Sequence, residues 1–458
     1  MKNRKNYISI LLVAVTLVLG MSCKKTFFTE ANINPNSPDS SSIVPSVLLS
    51  TVEGNLAYTQ GGDLSRYTSL ITQQTNGASR QAQGYYGYVF TSVDFDSPWG
   101  NLYTSVFENN KKLLSLSEAK GDNAYSGVSR VLMAYSLQVA VDLWGSIPYS
   151  SAFQGSNNLQ PAFDNDKVLY DTITNLLNAG IVQLGKPNSG GDRSVPGIED
   201  VIYGGNTGKW IKFAHAIKAR LAIHQSKSNP AMASTALAEA ALSFSQNTDN
   251  AQYIFGTTET SANPWYQFNE QRGDIAFGTS TLGAAMLANH DPRFTAFMDT
   301  TNQDVNQVGM GPYYGNISSP VEFITYDEIL FIKAEATLRS SGNIVLAQKY
   351  YDSAILMNMN ELGVAPADAA TYLAVKGVLP TTSANAAIAQ VASEEFVALY
   401  LNPEAFTVWR RTGVPTLTPT SGTNIPRRFL YPQTEYSYNS GHVPASTTLF
   451  SPKVFWDN

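Results

Sequence analysis

The feature that most constrains this chain is its single cysteine, Cys23, together with what stands in front of it. Lys2, Arg4 and Lys5 open the chain with positive charge, and a 14-residue, mostly apolar stretch runs from Ile8 to Met21. A membrane-spanning helix needs about 20 apolar residues. The stretch is therefore short for a span, and it has the charged-then-apolar layout of a secretory leader. Gly20, Met21 and the small Ser22 lead into Cys23, so the expected cut is the bond before the cysteine. Residues 1–22 then read as a signal peptide, and the mature chain begins on a thiol with no second cysteine to pair with. Neither a disulfide framework nor a thiolate metal site can hold such a body, so an apolar core has to. The composition allows one, with 43% hydrophobic residues. The 458 residues leave room for one large body or two modest domains.

The leader holds three of the 30 Lys and Arg and none of the 36 Asp and Glu, so the remainder carries a net charge of −9. An acidic body without a basic stripe argues against nucleic acid as a partner. Charged residues make up only 14% of the chain while aromatics reach 11%, with 24 Tyr. Rings combined with Asn, Ser, Thr, Gln and Gly suit neutral polar ligands such as sugars or peptides. The competing role for the same rings is a Tyr-rich core.

The chain after Cys23 divides simply. Residues 23–42 carry the cysteine and a polar tether punctuated by Pro35 and Pro38. Residues 43–458 form the body, and its pattern is mostly helical. The spacing predicts helices over 101–119, 128–144, 166–184, 209–226 and 230–244, each with apolar residues three and four apart. Thr325 and Glu328 have capping-box spacing, with Ile324 and Ile329 as a hydrophobic staple. They open a helix that runs to Ser340 and ends before Gly342. A second helix spans 345–362. Phe331 and Ala334 on the first, with Ala347, Tyr351 and Ala354 on the second, set small residues around a ring. This is the layout of a tetratricopeptide-like helix hairpin. The fold class read from the pattern is mostly α, with such pairs as scaffold and long irregular, aromatic-rich loops between them.

Three loops carry rings: 77–99, 256–278 and 305–320. Long loops in a compact body are where binding concentrates. Trp265, Tyr266 and Tyr86 are the rings best placed to stack on a ligand, with Arg272 and Asp274 as hydrogen-bonding partners and Tyr313 as a further candidate. For each ring a core role is the alternative. Trp99, Trp144 and Trp210 sit in helix-edge motifs and read as structural. Arg410, Arg411, Arg427 and Arg428 read as ties between irregular chain ends and nearby carbonyls and acids. Catalytic and metal motifs fail on inspection. His215 and His224 lie nine apart on one helix and face opposite ways. The stretch Gly278 to Gly283 lacks a nucleophile elbow because Leu282 stands where glycine is needed. Gly205 to Trp210 lacks the phosphate-loop pattern. A glycan hydrolase needs only two placed carboxylates, and no pair stands out.

Several stretches, in order, carry a resemblance. They are Asn34-Pro35-Asn36-Ser37-Pro38, Trp99-Gly100-Asn101-Leu102-Tyr103, Asp142 to Tyr149 (DLWGSIPY), Asp291-Pro292-Arg293, Lys333-Ala334-Glu335-Ala336, Arg410 to Gly413, and Pro426 to Pro432. The set resembles the SusD/RagB family of outer-membrane nutrient-binding lipoproteins, in its SusD-like branch. The leader and Cys23 likewise resemble a bacterial lipoprotein signal of the signal peptidase II type. The resemblance implies a lipid on Cys23, an outer-membrane location facing the cell surface, and a SusC-like TonB-dependent transporter as partner. It implies capture and delivery of an oligosaccharide or peptide, with no catalysis, cofactor or metal. The alternatives are a lipoprotein glycan hydrolase and an envelope scaffold that binds only protein.

Overall fold

The computed structural model describes residues 43–187, 195–301 and 309–457. The leader, Cys23 and the tether lie outside the described residues, as does the start of the 305–320 loop.

Helix Asn123–Trp144 shows why the body is helical. All but two of its residues are buried, so it is mostly apolar, enclosed on every side, and must be wrapped. Helices Pro45–Thr59, Glu108–Lys120, Asp166–Leu184 and Thr207–Gln225 do the wrapping. Two glycines allow the tightest of these contacts. A Cβ on Gly127 would come within 2.6 Å of Leu184, and one on Gly180 within 3.2 Å of Val131. Gly145, at φ +77°, then ends the central helix.

The helix hairpin expected near the middle is Tyr326–Ser341 with Ile344–Glu361. Phe331, Ala334 and Leu338 bury against Ala347, Tyr351 and Ala354, and the Phe331 and Tyr351 rings meet edge-on at 6.4 Å. Gly342 turns the chain at φ +64°, and the Asn343 side chain caps the second helix through Leu346 N at 3.1 Å. Helices Pro366–Lys376 and Ala384–Ala398 complete this cluster through Ala369, Tyr372, Ala387 and Val391. Helix Ala231–Leu242, itself paired with Thr207–Gln225, packs on the other side. The fold is mostly α, with stacked helix pairs as its scaffold.

Two expectations need correction. Thr325 makes no side-chain cap, so there is no capping box. Glu328 is drawn inward instead, and its carboxylate accepts from Arg220 Nε at 2.7 Å and Nη2 at 2.6 Å. The ring-bearing loops are also less irregular than expected. The first contains helix Arg80–Tyr86 and short helical turns at Ser92–Phe95 and Asp96–Gly100, and the second contains helix Pro264–Gln271. Small two-stranded antiparallel ladders tie such segments down, including Asn76↔Ala276 with Gly77↔Ile275. The last stretch is irregular as expected, apart from the short helix Gln433–Tyr438. Its arginines are the ties the sequence suggests. Arg428 donates to the carbonyl of Trp144, Arg427 pairs with Asp457, and Arg410 Nη1 reaches the carbonyl of Arg427 at 2.9 Å. Trp99, Trp144 and Trp210 are all buried.

At the centre lies a buried polar network. Arg220 Nη2 also donates to the carbonyl of Phe323 at 2.7 Å, and its Nε lies 3.7 Å from Glu404. Glu404 meets His224 Nε2 at 2.7 Å. The Tyr170 hydroxyl bridges His224 Nδ1, at 2.9 Å, and Asp142. Asp142 further accepts from Gln138 at 2.5 Å and from the Trp456 indole at 3.0 Å. Among the described residues, Asp142, His224 and Glu404 are the one grouping of metal-type side chains. Each ligand atom already faces a protein partner, which makes the grouping a charge network. Burial pushes Glu328 up to about 7, against the pull of Arg220. Arg220→Met, which strands Glu328 and Glu404 without their counter-charge, is expected to cost about 3–5 kcal/mol in denaturant melts. Pairing it with Glu328→Leu is expected to recover part of that loss.

Candidate functional site

The first segment of the body sets the site. The helix that starts at Pro45 loosens into a π-helical turn at Gln60–Leu64 before resuming as Ser65–Ile71. Gly62 leaves helical geometry there, at ψ −115°. Gly61 packs so closely that a Cβ would come within 2.4 Å of Val321. Single π-turns of this kind recur at functional sites. This one puts Asp63 and Arg66 on one edge, where they form an ion pair.

The facing wall comes from helix Arg80–Tyr86. The ladder formed by Asn76 and Gly77 with Ile275 and Ala276 holds its start. Gly77 is obligatory there, since a Cβ would fall 2.0 Å from the carbonyl oxygen of Ala82. Helix Pro264–Gln271 supplies the third wall, with the Asn263 side chain capping Trp265 N at 2.8 Å. Between the walls opens a cleft of about 550 Å³, reached by Asp63, Arg66, Gln81, Phe268, Arg272 and Asp274.

Its polar groups come in guanidinium–carboxylate pairs. Arg272 Nε donates to Asp274 at 3.0 and 3.2 Å, while Arg80 lies 3.5 Å from the same carboxylate. Asp274 is fully buried, and its backbone carbonyl accepts from Ala78 N at 2.8 Å and Ser79 N at 3.2 Å. One residue therefore orients Arg272 and the Ala78–Ser79 turn, with Arg80 reaching it from the solvent side. The guanidinium groups of Arg66 and Arg272 lie over the Phe268 ring, 4.7 and 5.7 Å from its centroid. Behind them Tyr85 stacks on Phe90 at 4.4 Å and meets Tyr67 edge-on at 5.0 Å. The Tyr85 hydroxyl donates to Asp94, and burial followed by that carboxylate pushes its pKa upward. The cleft thus offers donors and acceptors side by side, with three guanidiniums facing two carboxylates.

A protein-family model described as starch-binding associating with outer membrane matches residues 35–432. The chain belongs to the SusD-like family. A search of curated proteins returns no match. Solved structures share its fold. A SusD/RagB family protein from Bacteroides thetaiotaomicron aligns at a TM-score of 0.75 and 21% identity, over 91% of this chain and 99% of that one. A chitin-binding SusD homolog from Flavobacterium johnsoniae aligns at 0.75 and 20%, over 90% and 99%. A SusD homolog from Bacteroides fragilis aligns at 0.74 and 20%, over 91% and 99%.

In this SusD-like body the sequence candidates separate. Arg272 and Asp274 meet at the cleft. Tyr86 shares a helix with Tyr85 but turns away, its hydroxyl reaching Thr281 and its carbonyl accepting from Thr420. Tyr266 stands beside Glu259 and Glu270, off the cleft wall. Trp265 is interior, 3% exposed, and its indole N–H donates to Ser65 Oγ at 2.8 Å. Helix geometry explains this, since the position that buries a large ring holds the helix to the body. Tyr313 is half-buried, and its hydroxyl donates to Glu322 at 2.8 Å, beside a separate internal cavity. Asp63, Arg66 and Gln81 escaped the sequence reading. The available signal was the Gly61-Gly62 pair inside an apolar helical stretch.

Burial, with Asp327 adding to it, pushes the Glu322 carboxyl up to about 8. A folded-state pKa above the unfolded value means stability that is present at low pH and lost as pH rises through that value. Between about pH 4.5 and about pH 8, then, the melting temperature of Glu322→Gln is expected to rise relative to the unsubstituted protein. Parallel thermal melts across that range check it.

Proposed function

We propose that this chain is a surface-facing, lipid-anchored receptor that captures an oligosaccharide in the cleft between Arg66, Gln81 and Arg272 and delivers it to a SusC-like TonB-dependent transporter. The cleft carries the reading. A sugar hydroxyl both donates and accepts, and an arginine–carboxylate pair supplies both functions at one place. A peptide amide has the same double character, so peptides form the comparison arm of the test. The chitin-binding relative with the same fold supports an oligosaccharide. The leader ahead of Cys23 supports the anchor. Among the described residues no helix is long and apolar enough to cross a membrane, so the proposed attachment runs through the cysteine. The two cleft carboxylates, Asp63 and Asp274, are each paired with an arginine, which favours retention of cargo over its conversion.

Calorimetric titration of the purified body against oligosaccharide and peptide panels tests the ligand. Arg66→Ala is expected to weaken the ligand found by about tenfold or more, consistent with loss of a charged hydrogen bond. An unchanged affinity removes the cleft from the reading. Cys23→Ser is expected to abolish acylation in intact cells, read by mass spectrometry, and to release the protein from the outer-membrane fraction. Copurification of a barrel with the acylated form in mild detergent tests the partner.

A further inference from the structure

A further pocket, about 520 Å³ when the open space at its mouth is counted, shares no lining residue with the cleft. Helix Thr281–Ala288, helix Ala384–Ala398 and the extended run 415–417 enclose it, with Leu282, Met286, Phe396, Val397, Pro415 and Leu417 as apolar walls.

Most polar atoms on its lining have one sense, the exception at the rim being the amide of Asn289. The Thr72 hydroxyl spends its hydrogen on the carbonyl of Thr68 at 2.7 Å, and Thr281 spends its own on Gln73 Oε1 at 2.7 Å. Tyr372 donates to Glu394 Oε1 at 2.8 Å. Asp291 and Glu394 accept only. Lone pairs are what these groups have left for a ligand. Ser393, at the edge, adds a hydroxyl of either sense.

Charge points the same way. Asp291 and Glu394 share one buried cation: Arg293 Nη2 lies 2.6 Å from Asp291 and 2.6 Å from Glu394. Two carboxylates against one guanidinium leave negative charge in excess beneath apolar walls, where it is least screened. Lys376 is held at the solvent-facing rim by Asn289 Oδ1 at 2.8 Å.

We propose that this cavity binds an organic ammonium, a compact apolar body carrying a protonated amine. The walls take the body, and the ammonium supplies the donors and the positive charge that the Asp291 and Glu394 side of the cavity lacks. The site is independent of the oligosaccharide reading.

The test titrates the purified body at neutral pH with cyclohexylamine, cyclohexanol and cyclohexanecarboxylate, followed by ligand-observed NMR and calorimetry. The amine is expected to bind at least about tenfold more tightly than the alcohol, and the carboxylate not to bind. Ala285→Trp adds a ring at an exposed lining position and is expected to abolish amine binding while leaving the thermal melt and cleft ligand unchanged. Val397→Trp closes the opposite wall and is expected to do the same. Equal affinity for amine and alcohol, no amine binding at all, or amine binding that survives both variants overturns the proposal.

Discussion

The Arg220 guanidinium is the contact on which the rest of this architecture depends. It sits 1% exposed on helix Thr207–Gln225 and reaches the start of helix Tyr326–Ser341 through Glu328. It also approaches the start of helix Glu404–Thr412 through Glu404. Acidic side chains in a helix's first turn face the positive end of its dipole, so Arg220 meets carboxylates already held there by their own helices. Beyond Glu404 the chain of contacts passes through His224 and Tyr170 to Asp142, and from Asp142 to the Trp456 indole near the C-terminus. Six separated stretches are thereby tied to one another. Buried ion pairs add little net stability over well-packed apolar groups. What this one contributes is a specified arrangement of helix pairs that apolar stripes alone leave interchangeable.

The same network reaches the ligand cleft. The Tyr135 ring lies 5.8 Å from the Arg220 guanidinium, and its hydroxyl donates to Gln60 Oε1 at 2.7 Å. Gln60 Nε2 in turn donates to the carbonyl of Glu322 at 2.8 Å, the same oxygen that takes Asn402 Nδ2 at 3.0 Å. Gln60 is the first residue of the π-helical turn. The network thus holds the Gln60 side chain at the point where the register changes, while Ser65 N satisfies the backbone carbonyls of Gln60 and Gly62. Asp63 and Arg66 stand one turn beyond, on the cleft edge. The cleft is thus the outer end of a pinned interior.

This dependence explains what could be read from the sequence. Helices 166–184 and 326–341 were legible because their apolar spacing is local. The capping box at Thr325 failed because Glu328 answers to Arg220, 108 residues away in sequence, and no local rule sees that partner. Arg272 and Asp274 were legible as a near pair in a ring-bearing loop. Arg66 was not, because its place follows a π-turn at Gly61 and Gly62 that packs on the distant Val321. Trp265 was read as a platform since loop aromatics and core aromatics look alike in one dimension. The indole's bond to Ser65 decides between them.

The cleft is built before any ligand arrives, and that shapes what it can do. Asp274 fixes Arg272 with its carboxylate and the Ala78–Ser79 turn with its carbonyl. Arg66 is held between Asp63 and the face of Phe268. Little side-chain entropy remains to be lost on binding, which favours affinity. Yet each guanidinium already has its carboxylate, so a ligand hydroxyl exchanges hydrogen bonds with existing partners and adds few new ones, which limits affinity. Preorganisation with pre-satisfied partners yields a site that recognises shape and hydrogen-bond order without holding fast. Those are the properties that the proposed role, capture followed by release to a transporter, requires.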